Sequence, residues 1–399
     1  MKKKISLYLV CILSICMLVG CGSKSKGNRI IVWAKCNEKE KKALQELCDN
    51  WEGRNGQTIE VVSSQLNPLE YSAVKEAKTD GPDIIWGMSS EKTGWLVENN
   101  CVEAVKSGIE NVTDYIDEDL VKNTSIDGIR YGVPISMETL ALFYNKDKVT
   151  EVPKDMTEFL KLCEKEGLSF DINNGYFSYG FLSTYGGYVF KNDNGNFNYN
   201  DIGLNSEGAV KGYTMLQDIC NKYKVMSKDN TDDTAEACFS IGKSAFYIGE
   251  QKKISNFVKN KMNFGVTTIP SIDGQDFKPF KEIKMAFVNP NSVEKDQSYN
   301  LLKYLIDNSG SSLIKDGDRL PVLKKNLESE DFKNNEYLQG FYEQSKSAEV
   351  TPNIPELDFY WDVMNRNLQT LINENVTPEE CGKTIEKEIK KSLKDKESV

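Results

Sequence analysis

Between residues 29 and 90 the apolar positions alternate between short unbroken runs and stripes at helical spacing. IIVWA (30–34) is a compact run. EKEKKALQELCDNWEG (38–53) follows with Ala43, Leu44, Leu47, Cys48 and Trp51 three and four apart, and it stops at Gly53. TIEVV (58–62), a helical segment around 69–78 and DIIW (83–86) after the turn DGP continue the alternation. That order predicts an α/β lobe with a mainly parallel sheet. Strand alternation around Asp127-Gly128 in SIDGIRYGVPI (125–135) and Asn194-Gly195 in VFKNDNGNFNY (189–199) predicts two hairpins. Helices at 206–223 and 295–308, strands at 244–249, 263–269 and 283–288, and a largely helical last sixty residues complete the pattern. An α/β protein of two lobes with more than one chain crossing fits it. In TPNIPELDFYW (351–361) two prolines brace a turn, and Phe359, Tyr360 and Trp361 arrive together as a helix begins. Leu357, Trp361, Met364, Leu368 and Leu371 read as one apolar stripe, so core packing alone accounts for Trp361.

The first twenty residues stand outside this pattern. Lys2, Lys3 and Lys4 precede an apolar run (5–19) that ends at LVGC (18–21). The run is shorter than the roughly 20 residues of a membrane span and matches a signal-peptide core. Gly20 followed by Cys21 resembles the bacterial lipoprotein signal, in which cleavage leaves the cysteine N-terminal and lipid-bearing. Residues 1–20 are therefore predicted as a removed signal, and 21–28 as the lipidated N-terminus and a flexible tether of roughly 15 Å reach. Losing three leader lysines makes the formal charge of −10 more negative still. Nucleic acid is thus not expected as a partner, and the membrane only through the anchor. Of ten cysteines, Cys11 and Cys16 leave with the signal and Cys21 takes lipid. Cys36, Cys48, Cys101, Cys163, Cys220, Cys238 and Cys381 form no CxxC, and buried free thiols are predicted.

The chain has no histidine, which removes Ser-His-Asp, Cys-His and HExxH machinery. IGKS (241–244) lacks the first glycine of a phosphate loop, there is no GxSxG, and the acidic residues define no calcium loop. Neither a metal nor a cofactor is expected. Among sixty acidic residues a glycosidase-like carboxylate pair stays open, because linear spacing cannot place two of them across a sugar. Tyr176, Tyr179, Tyr360 and Trp361 offer flat faces of the kind that stack on sugar rings.

Several longer stretches carry a family likeness. They are DGPDII (80–85), PISMETLALFYNKD (134–147), YFSYGFLSTYGGYVFKNDNG (176–195), AEACFSIGKSAF (235–246), NFGVTTIP (263–270) and PNIPELDFYW (352–361). In these, over about residues 29–390, the chain resembles the maltose/maltodextrin-binding proteins, the solute-binding components of ATP-driven (ABC) sugar importers. The resemblance implies a periplasmic-binding-protein-like fold, with two α/β lobes, a hinge of crossing segments and a ligand cleft between the lobes. The expected division is 29–136 plus 284–332 for lobe 1 and 137–283 plus 333–399 for lobe 2. By the same likeness Glu138 falls on a hydroxyl-binding glutamate, and Tyr176 and Trp361 on stacking aromatics. Elsewhere the pattern departs: Gly87 replaces a tryptophan, with Trp86 one step away, and Ser90 and Glu91 replace an Asp-Arg pair. Asn37 and Glu38 replace Asp-Lys, Asn174 replaces a glutamate, and Lys252 replaces a further tryptophan. Asn37, Glu38, Trp86, Ser90, Asn174 and Lys252 are therefore candidate ligand contacts of altered chemistry. The expected function is a monomeric, exported lipoprotein at the outer face of the bacterial cytoplasmic membrane, or in the periplasm where there is an outer membrane. It would capture an oligosaccharide, maltodextrin first, and pass it to permease subunits without catalysis. A secreted glycan-processing enzyme and a non-transport polysaccharide adhesin are the alternatives.

Overall fold

The computed structural model describes residues 28–398 except 52, 54, 78, 79, 374 and 375, so the predicted signal and Cys21 lie outside the described residues. The strands are β1 (Arg29–Ala34), β2 (Thr58–Ser63), β3 (Ile84–Ser89), β4 (Ser125–Ile126), β5 (Ile129–Arg130), β6 (Val133–Asn145) and β7 (Leu168–Ser169). They continue with β8 (Lys191–Asp193), β9 (Asn196–Asn198), β10 (Phe246–Glu250), β11 (Phe264–Thr267), β12 (Phe280–Val288) and β13 (Glu349–Val350). The helices that position the site are α1 (Glu38–Asn50), α2 (Thr93–Glu98), α3 (Gly175–Ser183), α4 (Glu207–Asn221), α5 (Glu336–Ser345), α6 (Leu357–Asn373) and α7 (Pro378–Glu397).

Nine strands are linked in one hydrogen-bonded path, β2-β1-β3-β12-β6-β10-β7, with β11 also on β6 and β13 on β12. Only part of it is parallel. β1 runs parallel to β2 and β3, as the early strand–helix alternation predicts. β12 runs antiparallel to both β3 and β6, and β10 and β11 antiparallel to β6. One strand, β6, links the two groups. Residues 133–139 of β6 pair with β12, and residues 140–145 pair with β10 and β11. β6 reads VPISMETLALFYN and is buried on both faces along most of its length, the mark of a strand covered on each side.

Both hairpins form where expected. Asp127 and Gly128 take φ of 51° and 76° between β4 and β5, and Asn194 and Gly195 take 57° and 96° between β8 and β9. Left-handed pairs of this kind match the twist of the strands they join. The helix expected at 69–78 is shorter, Pro68–Val74. The strand expected at 283–288, β12, begins at Phe280, because charged Lys281 and Glu282 sit inside the ladder. One apolar core gathers α3, α4, α6 and α7 through Phe181, Tyr213, Leu216, Tyr360, Met364, Leu371 and Ile385. A second spans β1, β3 and α1 and continues through Phe143 of β6 to Phe257 and Phe341. The seven cysteines of the described residues are all free thiols, and five of them are buried.

Candidate functional site

The aromatic positions converge on Phe280 at the start of β12. Asn174 caps α3, its Oδ1 accepting from the Tyr176 N–H at 2.9 Å, which satisfies one of the unpaired donors of the first turn. Gly175 lets α3 meet α6 closely, since a Cβ there would stand 2.9 Å from Met364 Cγ. Tyr176 is thereby set over Phe280 with ring centroids 6.1 Å apart and planes 21° from parallel. Tyr179 stacks on the same ring at 3.7 Å and 2°, while Tyr360 and Trp361 meet its edge at 6.2 and 5.8 Å. Trp361 lies 6.5 Å from Tyr176.

The three adjacent aromatics of α6 divide their roles. Tyr360 is fully buried and its hydroxyl donates to Gly175 O at 3.0 Å. Phe359 and Trp361 are only partly covered. The buried face of α6 is Leu357, Tyr360, Val363, Met364, Asn367, Leu368, Leu371 and Ile372, so of the expected stripe only Trp361 departs. This corrects the stripe read from the sequence. Trp361 stands at the stripe's margin, because a helix advances about 100° per residue and Tyr360 already takes the inward direction.

Beside this platform runs a row of charges. Glu282 pairs with Glu138, and Lys284 with Ser136, across the β12–β6 ladder. Lys284, 2% exposed, bridges Glu138 at 3.2 Å and Glu282. Arg319 extends the row, giving Glu40 a two-pronged contact at 2.7 and 3.1 Å and Glu138 a third at 3.4 Å. Burial would raise the Glu282 carboxyl, but the Lys284 ammonium outweighs it and holds the pKa down to about 2. Burial pulls Lys284 down, yet Glu138 and Glu282 raise it overall. Glu91 and Glu250 are pushed up, first by burial and then by carboxylates, with Glu282 acting on both and Glu138 also on Glu250. The Tyr176 hydroxyl lies among Glu250, Glu282, Glu138 and Glu91, and burial and these carboxylates raise its pKa. It has no hydrogen-bond partner among the described residues.

Tyr176, Trp361, Glu138 and Lys252 thus surround one place. Lys252 pairs with Glu250 and keeps 62% of its side chain exposed. The other expected contacts stand elsewhere or are engaged. Trp86 is 1% exposed and packs in the core of β1 and β3. Gly87, next to it, adopts φ 99°, a left-handed conformation in which a tryptophan would be strained. Ser90 is fully buried and donates to Asn123 Oδ1 at 2.5 Å. Asn37 caps α1, accepting from Glu40 N at 2.9 Å and donating to Asp316 O at 2.7 Å. Glu38 begins α1 in an exposed position, and Asn174 is the cap of α3. Sequence reasoning missed Glu40, Glu250, Glu282, Lys284 and Arg319. A signal existed for two of them: charges at i and i+2 beside an apolar run put Glu282 and Lys284 on one strand face. One cavity of about 530 Å³ reaches the platform at Tyr179 and is lined also by Lys281 and Glu349, while another of about 560 Å³ is lined by Pro153, Ile269, Phe277 and Gln344. Among the described residues no group of His, Cys, Asp or Glu is placed to hold a metal ion.

Residues 46–340 match the family model described as bacterial extracellular solute-binding protein. The chain belongs to this family. Along its whole length it is 27% identical to the galactooligosaccharide-binding protein of Bacillus subtilis, covering 99% of that relative. It is 26% identical, over 87% of its length and 86% of the relative, to a maltooligosaccharide ABC transporter solute-binding lipoprotein of Streptococcus pneumoniae. Its fold superposes on the maltose-maltodextrin binding protein of Alicyclobacillus acidocaldarius with a TM-score of 0.83 at 30% identity, covering 91% of this chain and 100% of that one. This solute-binding protein therefore has the two-lobed periplasmic-binding-protein fold.

Proposed function

We propose that this solute-binding protein captures an oligosaccharide between its lobes and delivers it to the permease subunits of an ABC importer, with no chemistry of its own. The observation that carries the reading is the convergence of Tyr176, Trp361 and Phe280 beside Glu138. Flat apolar faces next to hydrogen-bond acceptors suit the two sides of a sugar ring. Maltodextrin is the first ligand by likeness to the Alicyclobacillus and Streptococcus proteins. A galactooligosaccharide is the second, favoured by the Bacillus relative that spans the whole chain.

The proposed lobes are 29–136 plus 284–332 and 137–283 plus 333–399, and packing of α5 on β11 and β6 supports the second. The N-terminal pattern and the lipoprotein name of the Streptococcus relative support an anchor at Cys21 and, with it, a position at the outer face of the cytoplasmic membrane; the proposed state there is a monomer. Titration with maltotriose and galactotriose, followed by small-angle scattering, tests this. Binding with a reduced radius is expected, because the ligand must favour the closed form for an importer to sense loading. Release of a cleaved sugar, or an unchanged radius at saturation, would overturn it.

A further inference from the structure

Building on the oligosaccharide reading above, we propose that Glu282 and Lys284 of β12 determine specificity: with Glu138 they form a charged row that takes the hydroxyls of a neutral oligosaccharide and shuts out sugars bearing carboxylates. Glu282 and Lys284 are two residues apart on β12, and their ladder partners Glu138 and Ser136 are two apart on β6. Side chains with that spacing share one sheet face. The row stays in place because Lys284 bridges Glu138 and Glu282, while Arg319 ties Glu138 to Glu40.

Fold stability does not account for such a row. Removing ions from water costs about as much as their attraction returns, and apolar residues of similar volume would hold the strands at least as well. A second observation points to a ligand. Ser136 is fully buried and its Oγ has no hydrogen-bond partner among the described residues, although it stands opposite Lys284. The Tyr176 hydroxyl is likewise unpartnered. Buried polar side chains are overwhelmingly paired, and two orphans beside one charged row mark a surface that expects polar company.

The sign of the site sets what that company is. Glu91, Glu138, Glu250 and Glu282 all act on the Tyr176 hydroxyl. An ionised carboxylate only accepts hydrogen bonds, so an entering group must donate. Sugar hydroxyls do this, and Ser136 and Tyr176 can both accept from and donate to them. A uronate brings like charge into a poorly hydrated cleft, where repulsion is little screened. The cations around the row offer it no relief, because each already serves carboxylates of the fold: Lys284 serves Glu138 and Glu282, Lys252 serves Glu250, Lys92 serves Glu91 and Asp358, and Arg319 serves Glu40 and Glu138.

Titration calorimetry on the processed chain, using maltotriose, galactotriose and trigalacturonate, tests the proposal, with thermal unfolding to establish that each variant is folded. The wild type should bind a neutral trisaccharide and prefer it over trigalacturonate. Glu282→Gln should weaken the neutral sugar about tenfold or more and narrow its margin over trigalacturonate. Ser136→Ala deletes a hydroxyl that makes no bond in the fold, so the variant should stay folded while losing affinity for the neutral sugar. Glu207→Gln, at an exposed carboxylate on α4, should change neither affinity. Neutral-sugar binding indifferent to both Glu282→Gln and Ser136→Ala, or wild-type preference for trigalacturonate, would overturn the inference alone. A wild type that binds no neutral oligosaccharide would overturn the parent reading, and the inference with it.

Discussion

Replacing Tyr176 by phenylalanine removes one oxygen from the cleft and leaves the aromatic platform in place. The ring would still stack on Phe280 at 6.1 Å and stand 6.5 Å from Trp361. Its hydroxyl is buried, lies among four carboxylates and makes no hydrogen bond among the described residues. A buried unpaired hydroxyl costs about 1–3 kcal/mol. Tyr176→Phe should therefore make the ligand-free protein more stable by about that much. Unfolding entropy of roughly 2 cal/mol/K per residue over a chain of this length makes the rise in Tm only about 1–4 °C. The same energy works against binding. A sugar hydroxyl that satisfies Tyr176 in the wild type recovers the penalty on binding, and in the variant there is nothing to recover. Affinity should fall by ~1–3 kcal/mol, or about 5- to 150-fold. Thermal unfolding without sugar and calorimetric titration with maltotriose or galactotriose read the two quantities separately. A lower Tm together with unchanged affinity would refute the reasoning, since the hydroxyl would then be paired within the fold and idle toward the ligand.

Other perturbations test different parts of the same structure. Trp361→Ala should weaken sugar binding by ~1–3 kcal/mol, the scale of a lost anchoring aromatic; unchanged affinity in a folded variant would remove Trp361 from the platform. Glu282, held near 2 against an ordinary carboxylate value of 4.5, contributes stability that is present above pH 4.5 and lost as pH falls toward 2. That loss is up to ~3 kcal/mol. Glu91 and Glu250, pushed upward, act in the opposite sense: their contribution is present below pH 4.5 and is lost as pH rises through their raised values. Urea unfolding between pH 4.5 and 2 should accordingly show Glu282→Gln losing less stability than the wild type; equal losses would argue against the Lys284 pairing. Gly94→Ala would set a Cβ 2.7 Å from Pro355 Cδ and 2.9 Å from Asn353 O, where the Gly94 N–H donates at 2.9 Å. Overpacking of this kind costs ~1–3 kcal/mol, and a neutral effect on urea unfolding would show that α2 does not need to approach this segment so closely.

What the sequence determined by itself was local. Helical stripes, short apolar runs and left-handed Asx-Gly turns identify most elements, because each depends on residues a few positions apart. The likeness carried by PISMETL and PNIPELDFYW was also legible, and with it the two-lobed fold, whereas the 6.5 Å approach of Tyr176 to Trp361 was not. The tertiary structure decided the rest. Whether Trp86 faced ligand or core could not be read from its neighbours, since a strand covered on both faces shows no alternation. Ser90 and Asn37 are polar in sequence, yet the folded chain commits one to Asn123 and the other to Glu40 and Asp316. Glu40, Glu138, Glu282, Lys284 and Arg319 are up to 279 positions apart, and only the β6–β12 ladder and the loop before Leu320 unite them. A charge's role depends on burial and on the sign of its neighbours through space, so the row beneath Tyr176 came into view only when the paired strands brought it together.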